Sequence, residues 1–453
     1  MKKSIKISLF LFTVIISFMV FNNFSYDGLK LLNQKSELGS KDNPIARAEY
    51  EFRMLANPIT GVIPKNIRQQ EIEFVKSIST TKEEMLSKGL DVETLTFTSR
   101  GPVNRGGRVR ALAFDVRSTS SNSVIIAGGV SGGIWRSTDG GGTWTQTSLP
   151  SHINSATCIA QDIRSGHQDT WYVGTGEAYG GSARGGSASY LGDGIFKSTD
   201  NGLSWSRISG TVSNTPQTFD QVFDFVHNIA INPTTGTIFA AAINTIAKST
   251  DGGNNWSTVR SSPENASFTD VIATANGTIY ATVNSSVSDA GIWKSTNDGT
   301  SWTEITPSGF PSLYNRVVIA AAPSDQNRLY ILATTPGSGK DGHSFWVSSN
   351  AGSSWTNYSN NLPDTEGSVA GYSAQGSYNM VIKIKPDDAN FVVFGGTNLH
   401  RSTNGMTTKL ANSYVNWIGG YSVANDISQY ENHHPDQHAL AFATYNKHFI
   451  LRR

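Results

Sequence analysis

One eight-residue motif occurs six times along this chain, and it restricts the folds that the chain can adopt. The first copy, STDGGGTW, occupies residues 137–144, and we call this motif the box. The other copies begin at residues 198, 249, 295, 348 and 402, at intervals of 46 to 61 residues, and the last copy has decayed. Motifs that recur at such intervals are typical of repeat folds, in which every period builds one structural unit.

The chemistry of the box predicts a hairpin turn. Each of the first four copies follows a short apolar run that ends in a basic residue, such as GIWR or GIFK, and this run is typical of a β-strand. Ser and Asp bond neighbouring backbone groups, Gly adopts a positive φ angle, and Trp packs against apolar side chains. The residues to which we assign this structural role are Ser137, Asp139, Trp144, Ser198, Asp200, Trp205, Ser249, Asp251, Trp256, Ser295, Trp302, Ser348 and Trp355.

The segments between the boxes predict further strands. Apolar runs open the periods at Val109–Phe114, Thr157–Gln161, Asn228–Asn232, Val317–Ala321 and Val381–Lys385, and a second apolar run follows each of them. Together with the strands on either side of the box, this makes four strands in about 50 residues, which is typical of a propeller blade. We therefore predict an all-β fold: a β-propeller of about seven four-stranded blades, the last one incomplete, preceded by a short helical leader.

The beginning of the chain differs from the repeats. Residues 1–26 place three lysines before an apolar run, which is the arrangement of a signal peptide or of an uncleaved N-terminal anchor. Residues 27–92 carry helical spacing at 46–56 and 69–88 and predict a helical leader or linker. The propeller is predicted to occupy residues 93–453.

The end of the chain has two explanations. Residues 438–451 begin a seventh blade, but no box follows them. Either Thr94–Thr98 supplies the strand that completes this blade, or the chain is a truncated version of a longer protein. We favour truncation within blade seven.

Composition excludes several classes of function. The 36 Lys and Arg residues are balanced by 35 Asp and Glu residues, so the chain lacks the broad positive surface of a nucleic-acid-binding protein. Cys158 is the only cysteine, which excludes an internal disulfide. The segment HHPDQH (433–438) has the residue types of a metal site, but Pro435 opposes the helix that would align His434 with His438. We predict no metal, no cofactor and a monomer.

The spaced boxes resemble the Asp-box, or BNR, repeats of sialidases and of sortilin-like bacterial secreted proteins that are often described as glycosyl hydrolase-like. The segment GGIWR (132–136) also resembles the two-propeller xyloglucanases. These resemblances imply a propeller that is secreted, or held at the cell surface or in the periplasm. Sialidases also carry an Arg-Ile-Pro motif, and this chain contains none.

Long polar loops are predicted on the propeller face opposite the boxes. Such loops carry binding residues when a rigid scaffold holds them together, although polar loops also occur on faces that bind nothing. The candidate ligand-binding residues are Arg105, Arg108, Tyr179, Arg184, Tyr190, His343, His434, Asp436 and His438.

Glu177 is the best candidate for acid–base catalysis, because it follows a predicted strand in a Gly-rich loop. Glycoside hydrolysis requires a second carboxylate, for which we name Asp193. The alternative is that Glu177 only orders its own loop.

Three functions therefore remain open. The chain is an exported recognition protein that binds a carbohydrate or peptide on its loop face. Alternatively, it is a sialidase-like or xyloglucanase-like glycoside hydrolase that uses Glu177 and a second carboxylate. Finally, it is a truncated fragment without a function of its own. Nucleic acid is not an expected partner, and a membrane is expected only if the N-terminal segment stays uncleaved.

Overall fold

The computed structural model describes residues 50, 52–77, 107–149, 151–152, 155–178, 190–213, 219–261, 268–285, 288–364, 371–410, 416–421, 435–443, 445 and 449–451. The chain divides into two compact units, Met1–Val62 and Ile63–Arg453. In the first unit, residues 52–55 are helical and the Asn57 side chain accepts the Ile59 N–H at 2.8 Å. In the second, helix α1 spans Ile67–Ser77. No helix in these described ranges is long and apolar enough to cross a membrane.

The described residues of the second unit form six four-stranded antiparallel sheets, and in each of them the strands neighbour one another in chain order. The first sheet consists of β1 Val109–Phe114, β2 Ile125–Gly129, β3 Gly133–Ser137 and β4 Thr145–Gln146. The second consists of β5 Ala156–Gln161, β6 Trp171–Thr175, β7 Ile195–Ser198 and β8 Ser206–Arg207. The third consists of β9 Val226–Ile231, β10 Ile238–Ala242, β11 Thr245–Ser249 and β12 Ser257–Ser261.

The fourth sheet consists of β13 Thr269–Ala273, β14 Ile279–Val283, β15 Gly291–Ser295 and β16 Thr303–Glu304. The fifth consists of β17 Val317–Ala322, β18 Asp325–Thr334, β19 His343–Ser348 and β20 Thr356–Asn357. The sixth consists of β21 Val381–Lys385, β22 Asp388–Gly395, β23 Leu399–Ser402 and β24 Trp417–Gly419. Short 3₁₀ turns occur at Ser209–Thr211, Val222–Asp224 and Ser359–Asn361.

The prediction of about seven four-stranded blades was wrong, because the part of the chain that the structure describes forms six. Residues 438–451 form only a two-stranded sheet, of β25 Leu440–Phe442 and β26 Phe449–Leu451. The sequence interpretation counted this hairpin as an incomplete seventh blade, since its first strand has the pattern of an inner strand. Thr94–Thr98, the predicted closing strand, and most of the predicted helical leader lie outside the described residues.

The hydrophobic cores lie between neighbouring sheets. Trp171 and Phe196 of the second blade, for example, are fully buried against Ile126 of the first. The two-stranded sheet joins the sixth blade to the first in the same way, because Leu440 packs with Val381 and its neighbour Ala439 packs with Leu112. Each buried large side chain contributes about 1.5–3 kcal/mol. The energy that holds a blade in place is thus shared with its neighbours.

The box forms a hairpin turn held by its own side chains. In the first box, the Ser137 hydroxyl donates to an Asp139 carboxylate oxygen at 2.7 Å and accepts the Gly141 N–H at 2.8 Å. The same carboxylate accepts the Thr143 N–H at 2.9 Å. Asn297 replaces the aspartate in the fourth box, and its carbonyl oxygen still accepts the Ser301 N–H at 2.9 Å. The turn therefore needs the acceptor oxygen and not the negative charge.

The fifth box position must be glycine in several copies, because it adopts a positive φ and touches the preceding blade. Gly253 has φ of +99°, and a Cβ there would lie 2.6 Å from the Ile208 Cδ1 atom. Gly202, Gly299 and Gly352 meet a side chain of the preceding blade at a similar distance. These glycines allow the turns to sit directly on the neighbouring core.

The basic residue before each of the first four boxes bonds the box of the following blade. Arg136 Nε donates to the Asn201 carbonyl at 2.8 Å, and Lys248 Nζ donates to the Asp298 carbonyl at 3.0 Å. Two further bonds of this kind join Lys197 to Gly252 at 3.1 Å and Lys294 to Ala351 at 3.1 Å. We call these contacts the box clamps. They link consecutive blades on the outside of the cores.

Candidate functional site

The inner strands of the propeller surround a cavity on its axis. The cavity has a volume of about 180 Å³, and residues on or beside all seven innermost strands, from β1 to β25, line it. We call it the axial cavity. Its polar lining concentrates where the inner strands begin, on the face opposite the boxes.

A cluster of four side chains lies at this end of the axis, and we call it the mouth cluster: Arg108, Arg110, Glu177 and Tyr378. Arg108 and Arg110 each form an ion pair with a different carboxylate oxygen of Glu177. Arg108 Nη1 also donates to the Tyr378 hydroxyl at 2.6 Å, and Arg110 Nη2 donates to the Tyr378 carbonyl at 3.0 Å. The two guanidinium carbons lie 5.4 and 5.7 Å from the centre of the Tyr378 ring.

The local backbone places Glu177 at this point. It follows β6, and its backbone N–H and carbonyl pair with Tyr190 at 2.7 and 2.9 Å. This bridge holds the base of the loop, whose residues 179–189 lie outside the described ranges. The preceding residue, Gly176, has φ of +92° and packs against the Asp224 carbonyl, so only glycine fits there.

The electrostatics of the mouth cluster favour a charged, fully paired carboxylate. Glu177 is 2% exposed, and two guanidinium groups neutralise it. Burial alone would lower the pKa of Arg108, but the Glu177 charge outweighs burial and the pKa is raised. Burial raises the pKa of Tyr378, although Arg108 opposes the rise. Each oxygen of this carboxylate is therefore engaged by one guanidinium group.

His438 packs against the mouth cluster as a neutral ring. Its ring centre lies 4.7 Å from that of Tyr378. Burial and the charges of Arg110, Arg108 and Arg316 together hold the pKa of His438 well below its usual range. The structure therefore brings together Arg108, Glu177 and His438, which were all sequence candidates.

A second group of polar side chains lies deeper in the axial cavity. One Asp270 carboxylate oxygen accepts the Asn228 amide at 2.7 Å and the Val271 N–H at 2.9 Å. Burial raises the pKa of Asp270, while Asn228 and the charge of Arg316 oppose the rise. Lys383 reaches the same cavity from β21.

Lys383 is the least satisfied charge in the cavity. The Lys383 side chain is exposed, and the space to which it is exposed is the axial cavity. Burial lowers the pKa of the Lys383 ammonium, and the charge of Asp270 opposes this shift. Within the part of the chain that the structure describes, the ammonium makes no hydrogen bond or ion pair.

Other sequence candidates lie apart from the axial cavity. Asp193 accepts the Ser213 N–H at 2.9 Å and lies 3.5 Å from Arg207. Asp436 accepts the Asn379 amide at 2.8 Å, and a nitrogen of the buried His343 ring accepts the Ala374 N–H at 3.2 Å. Tyr190 contributes its backbone to the Glu177 loop. Arg105, Tyr179, Arg184 and His434 lie outside the described residues.

Asp224 is a further buried carboxyl group near the second blade. One of its oxygens accepts the N–H groups of Asp220 and Gln221 at 2.9 Å, and the other has no hydrogen-bond partner among the described residues. Burial raises the pKa of Asp224 to about 6, and the nearby charges of Asp220 and Asp193 add to the rise. Neither Asp224 nor Asp193 lines the axial cavity.

Sequence reasoning missed Arg110, Tyr378, Asp270 and Lys383. Three of these residues are charges flanked by apolar residues in inner strands: VRALAF and TDVIA each carry one charge, and VIKIK carries Lys383 and Lys385. An isolated charge in a strand that borders a propeller axis is the signal that would have identified them. No group of three or more His, Cys, Asp or Glu residues within the described ranges is arranged to hold a metal ion.

Comparison with known proteins supports the propeller fold. The model of the DUF6242 beta propeller domain matches residues 224–416. The xyloglucanase Xgh74A of Acetivibrio thermocellus is 26% identical over 273 residues, which cover 52% of this chain and 31% of the relative. The chain thus spans about a third of the length of the curated relatives that it matches.

Solved structures of similar proteins include a GH74 enzyme of Niastella koreensis, with a TM-score of 0.45 and 21% identity over 67% of this chain and 46% of that chain. They also include YCF48 bound to D1 peptide, with a TM-score of 0.40 and 16% identity over 66% of this chain and 75% of that chain. The sheet topology and the match to the DUF6242 beta propeller domain identify the fold as a β-propeller, and a xyloglucanase is among the similar proteins.

Proposed function

We propose that this chain is an exported recognition protein that binds a carbohydrate or a peptide on the face that carries the mouth cluster. The observation that carries the proposal is the state of Glu177, whose two oxygens are both occupied by arginine. A rigid, paired carboxylate organises a surface, whereas a catalytic carboxyl group needs access to the substrate.

The ion pairs also make this face suitable for recognition. Arg108 is partly exposed and is held in place by both Glu177 and Tyr378. A guanidinium that is fixed beside an aromatic ring offers directed hydrogen bonds at little cost in side-chain entropy. The candidate residues of the adjoining loops, Arg105, Tyr179, Arg184 and His434, would add stacking and hydrogen-bonding groups.

The alternative is a glycoside hydrolase. Identity of 26% with a xyloglucanase over half of the chain favours it. In this proposal Glu177 would act with Asp193, but both carboxylates are buried and both lie beside arginine. Hydrolysis with water requires two carboxyl groups on either side of an open cleft, so the geometry favours recognition.

Export completes the proposal. The lysines and apolar run of residues 1–26 support a signal peptide, and the spaced boxes support a relationship to the Asp-box, sortilin-like secreted proteins. The protein would then act outside the cytoplasm as a monomer, and would be membrane-attached only if the signal stays uncleaved.

The test is a glycan array and a peptide array, run beside chromogenic glycosides, on the full chain. We expect saturable binding to one ligand class without turnover. The glycosides are also tested with Glu177→Gln and with Glu304→Gln, a control in which the changed carboxylate is exposed and accepts a hydrogen bond from Thr306. Turnover that disappears in a folded Glu177→Gln protein but persists in the control would overturn the proposal. Absence of binding on both arrays would also contradict it.

A further inference from the structure

The axial cavity carries an imbalance of charge. Its lining includes three cationic side chains, those of Arg110, Arg316 and Lys383, and two carboxylates, those of Glu177 and Asp270. His438 is held neutral and adds no charge. The lining therefore has one positive charge in excess, in a space that protein encloses around the axis.

The excess charge belongs to Lys383, because the other groups are engaged. Glu177 occupies Arg110, and Arg316 Nη1 donates to the Ser377 carbonyl at 3.3 Å and interacts with Asp270. An ammonium group has three donors, and the described residues supply none of them with an acceptor. Such a group is costly unless water or an anion satisfies it.

The cavity is suited to a small anion. Its volume of about 180 Å³ leaves room for a ligand larger than a single water molecule. Its walls include Ile159, Ile272, Ile319, Ile382 and Leu440, which would contact an alkyl group. A monoanion matches the single ammonium of Lys383, which has no acceptor among the described residues.

We propose that the axial cavity binds a short-chain monocarboxylate, with its carboxylate on Lys383 and its alkyl group against the isoleucine and leucine walls. The site lies deeper along the axis than the mouth cluster, although Arg110 and Glu177 belong to both, and it does not depend on the proposed carbohydrate or peptide binding. Asp270 opposes the ligand by its negative charge and so limits the affinity.

The experiment measures thermal stability of the full chain in sodium acetate, propionate, phosphate and chloride at equal ionic strength. A ligand that binds only the folded state raises Tm with concentration. We expect acetate and propionate to raise Tm above its value in chloride, and titration calorimetry to give a dissociation constant for each. A response that is equal in acetate and chloride overturns the proposal, and a response to phosphate alone overturns the assignment to monocarboxylates.

Two variants of opposite sign identify the residues. Lys383→Met should weaken carboxylate binding at least tenfold, whereas Asp270→Asn should strengthen it. Lys385→Met is the matched control, because Lys385 lies two residues further along β21 and pairs with Asp387. Lys383→Met also relieves an unsatisfied charge, so we expect it to fold with an undiminished Tm in chloride. Unchanged carboxylate binding by folded Lys383→Met protein would refute the site.

Discussion

Replacement of Glu177 by glutamine distinguishes a buried structural ion pair from a catalytic carboxyl group. The substitution keeps the shape of the side chain but removes its charge. Arg108 and Arg110, whose side chains are only 21% and 8% exposed, then lose their counter-ion. Breaking a buried ion pair by removing one partner costs about 3–5 kcal/mol.

The expected change in Tm follows from the size of the chain. Unfolding entropy is ~2.1 cal/mol/K per residue, so a protein of this length shifts its Tm by about 1–1.5 °C for each kcal/mol. Glu177→Gln should therefore lower Tm by about 3–7 °C in differential scanning calorimetry. Glu304→Gln alters an exposed side chain and should change the unfolding free energy by less than about 0.5 kcal/mol.

A double-mutant cycle makes the test specific. If Arg108 and Glu177 act as a pair, Arg108→Gln combined with Glu177→Gln should cost less than the sum of the single changes. A catalytic carboxylate gives a different pattern, because its neutralisation abolishes turnover and leaves Tm unchanged or higher. An unchanged Tm for Glu177→Gln would refute our account of the mouth cluster.

Three further predictions concern the scaffold. Lys248→Met removes the box clamp to Asp298 and should lower the unfolding free energy by about 1 kcal/mol in urea titrations. Lys385→Met is the control, and equal stability of the two variants would contradict the clamp. Gly253→Ala should lower the unfolding free energy by about 2–4 kcal/mol, because the position has a positive φ and the new Cβ would overlap Ile208. Gly309 is the control: it has φ of +79° but open space around it, so Gly309→Ala should cost only about 1 kcal/mol. Similar losses for both variants would contradict the overlap. Burial lowers the pKa of His400 to about 3. Between pH 3 and 6.5 the unfolded chain therefore binds a proton at His400 that the folded protein does not bind. The free energy of unfolding must then fall as the pH falls through this range. His400→Gln should reduce that slope by up to ~1.4 kcal/mol per pH unit in unfolding measurements at pH 4, 5 and 6, and an unchanged slope would refute a neutral buried imidazole.

Sequence patterns predicted the propeller because its local rules are strong. The box turns and the runs Val109–Phe114 and Val381–Lys385 match strands β1 and β21. The inner strand of the fourth blade, Thr269–Ala273, is absent from the predicted first strands, since Asp270 interrupts its apolar run. The blade count failed for the opposite reason, because an apolar run at 440–442 was counted as a blade although only two strands form there.

The candidate site was less predictable. Loop residues such as Arg108 and Glu177 could be named because they sit in polar, Gly-rich segments. Their pairing could not, because Tyr378 lies 270 residues from Arg108 and only the closure of the ring brings them together. The roles of Lys383 and Asp270 could not be predicted. A charged residue within a strand does not show whether it faces the axial cavity until the position of the axis is known.

The box clamps have a consequence for how such chains can be recombined. Each clamp joins a basic side chain of one sheet to the turn of the next, and the apolar cores also lie between sheets. A graft of one whole sheet would therefore cut two junctions and match neither of its new neighbours. Segments exchanged from the middle of one sheet to the middle of the next would carry an intact junction with them. In this protein the transferable module is the seam between two blades, and a designer who lengthens or shortens the ring should insert or delete seams.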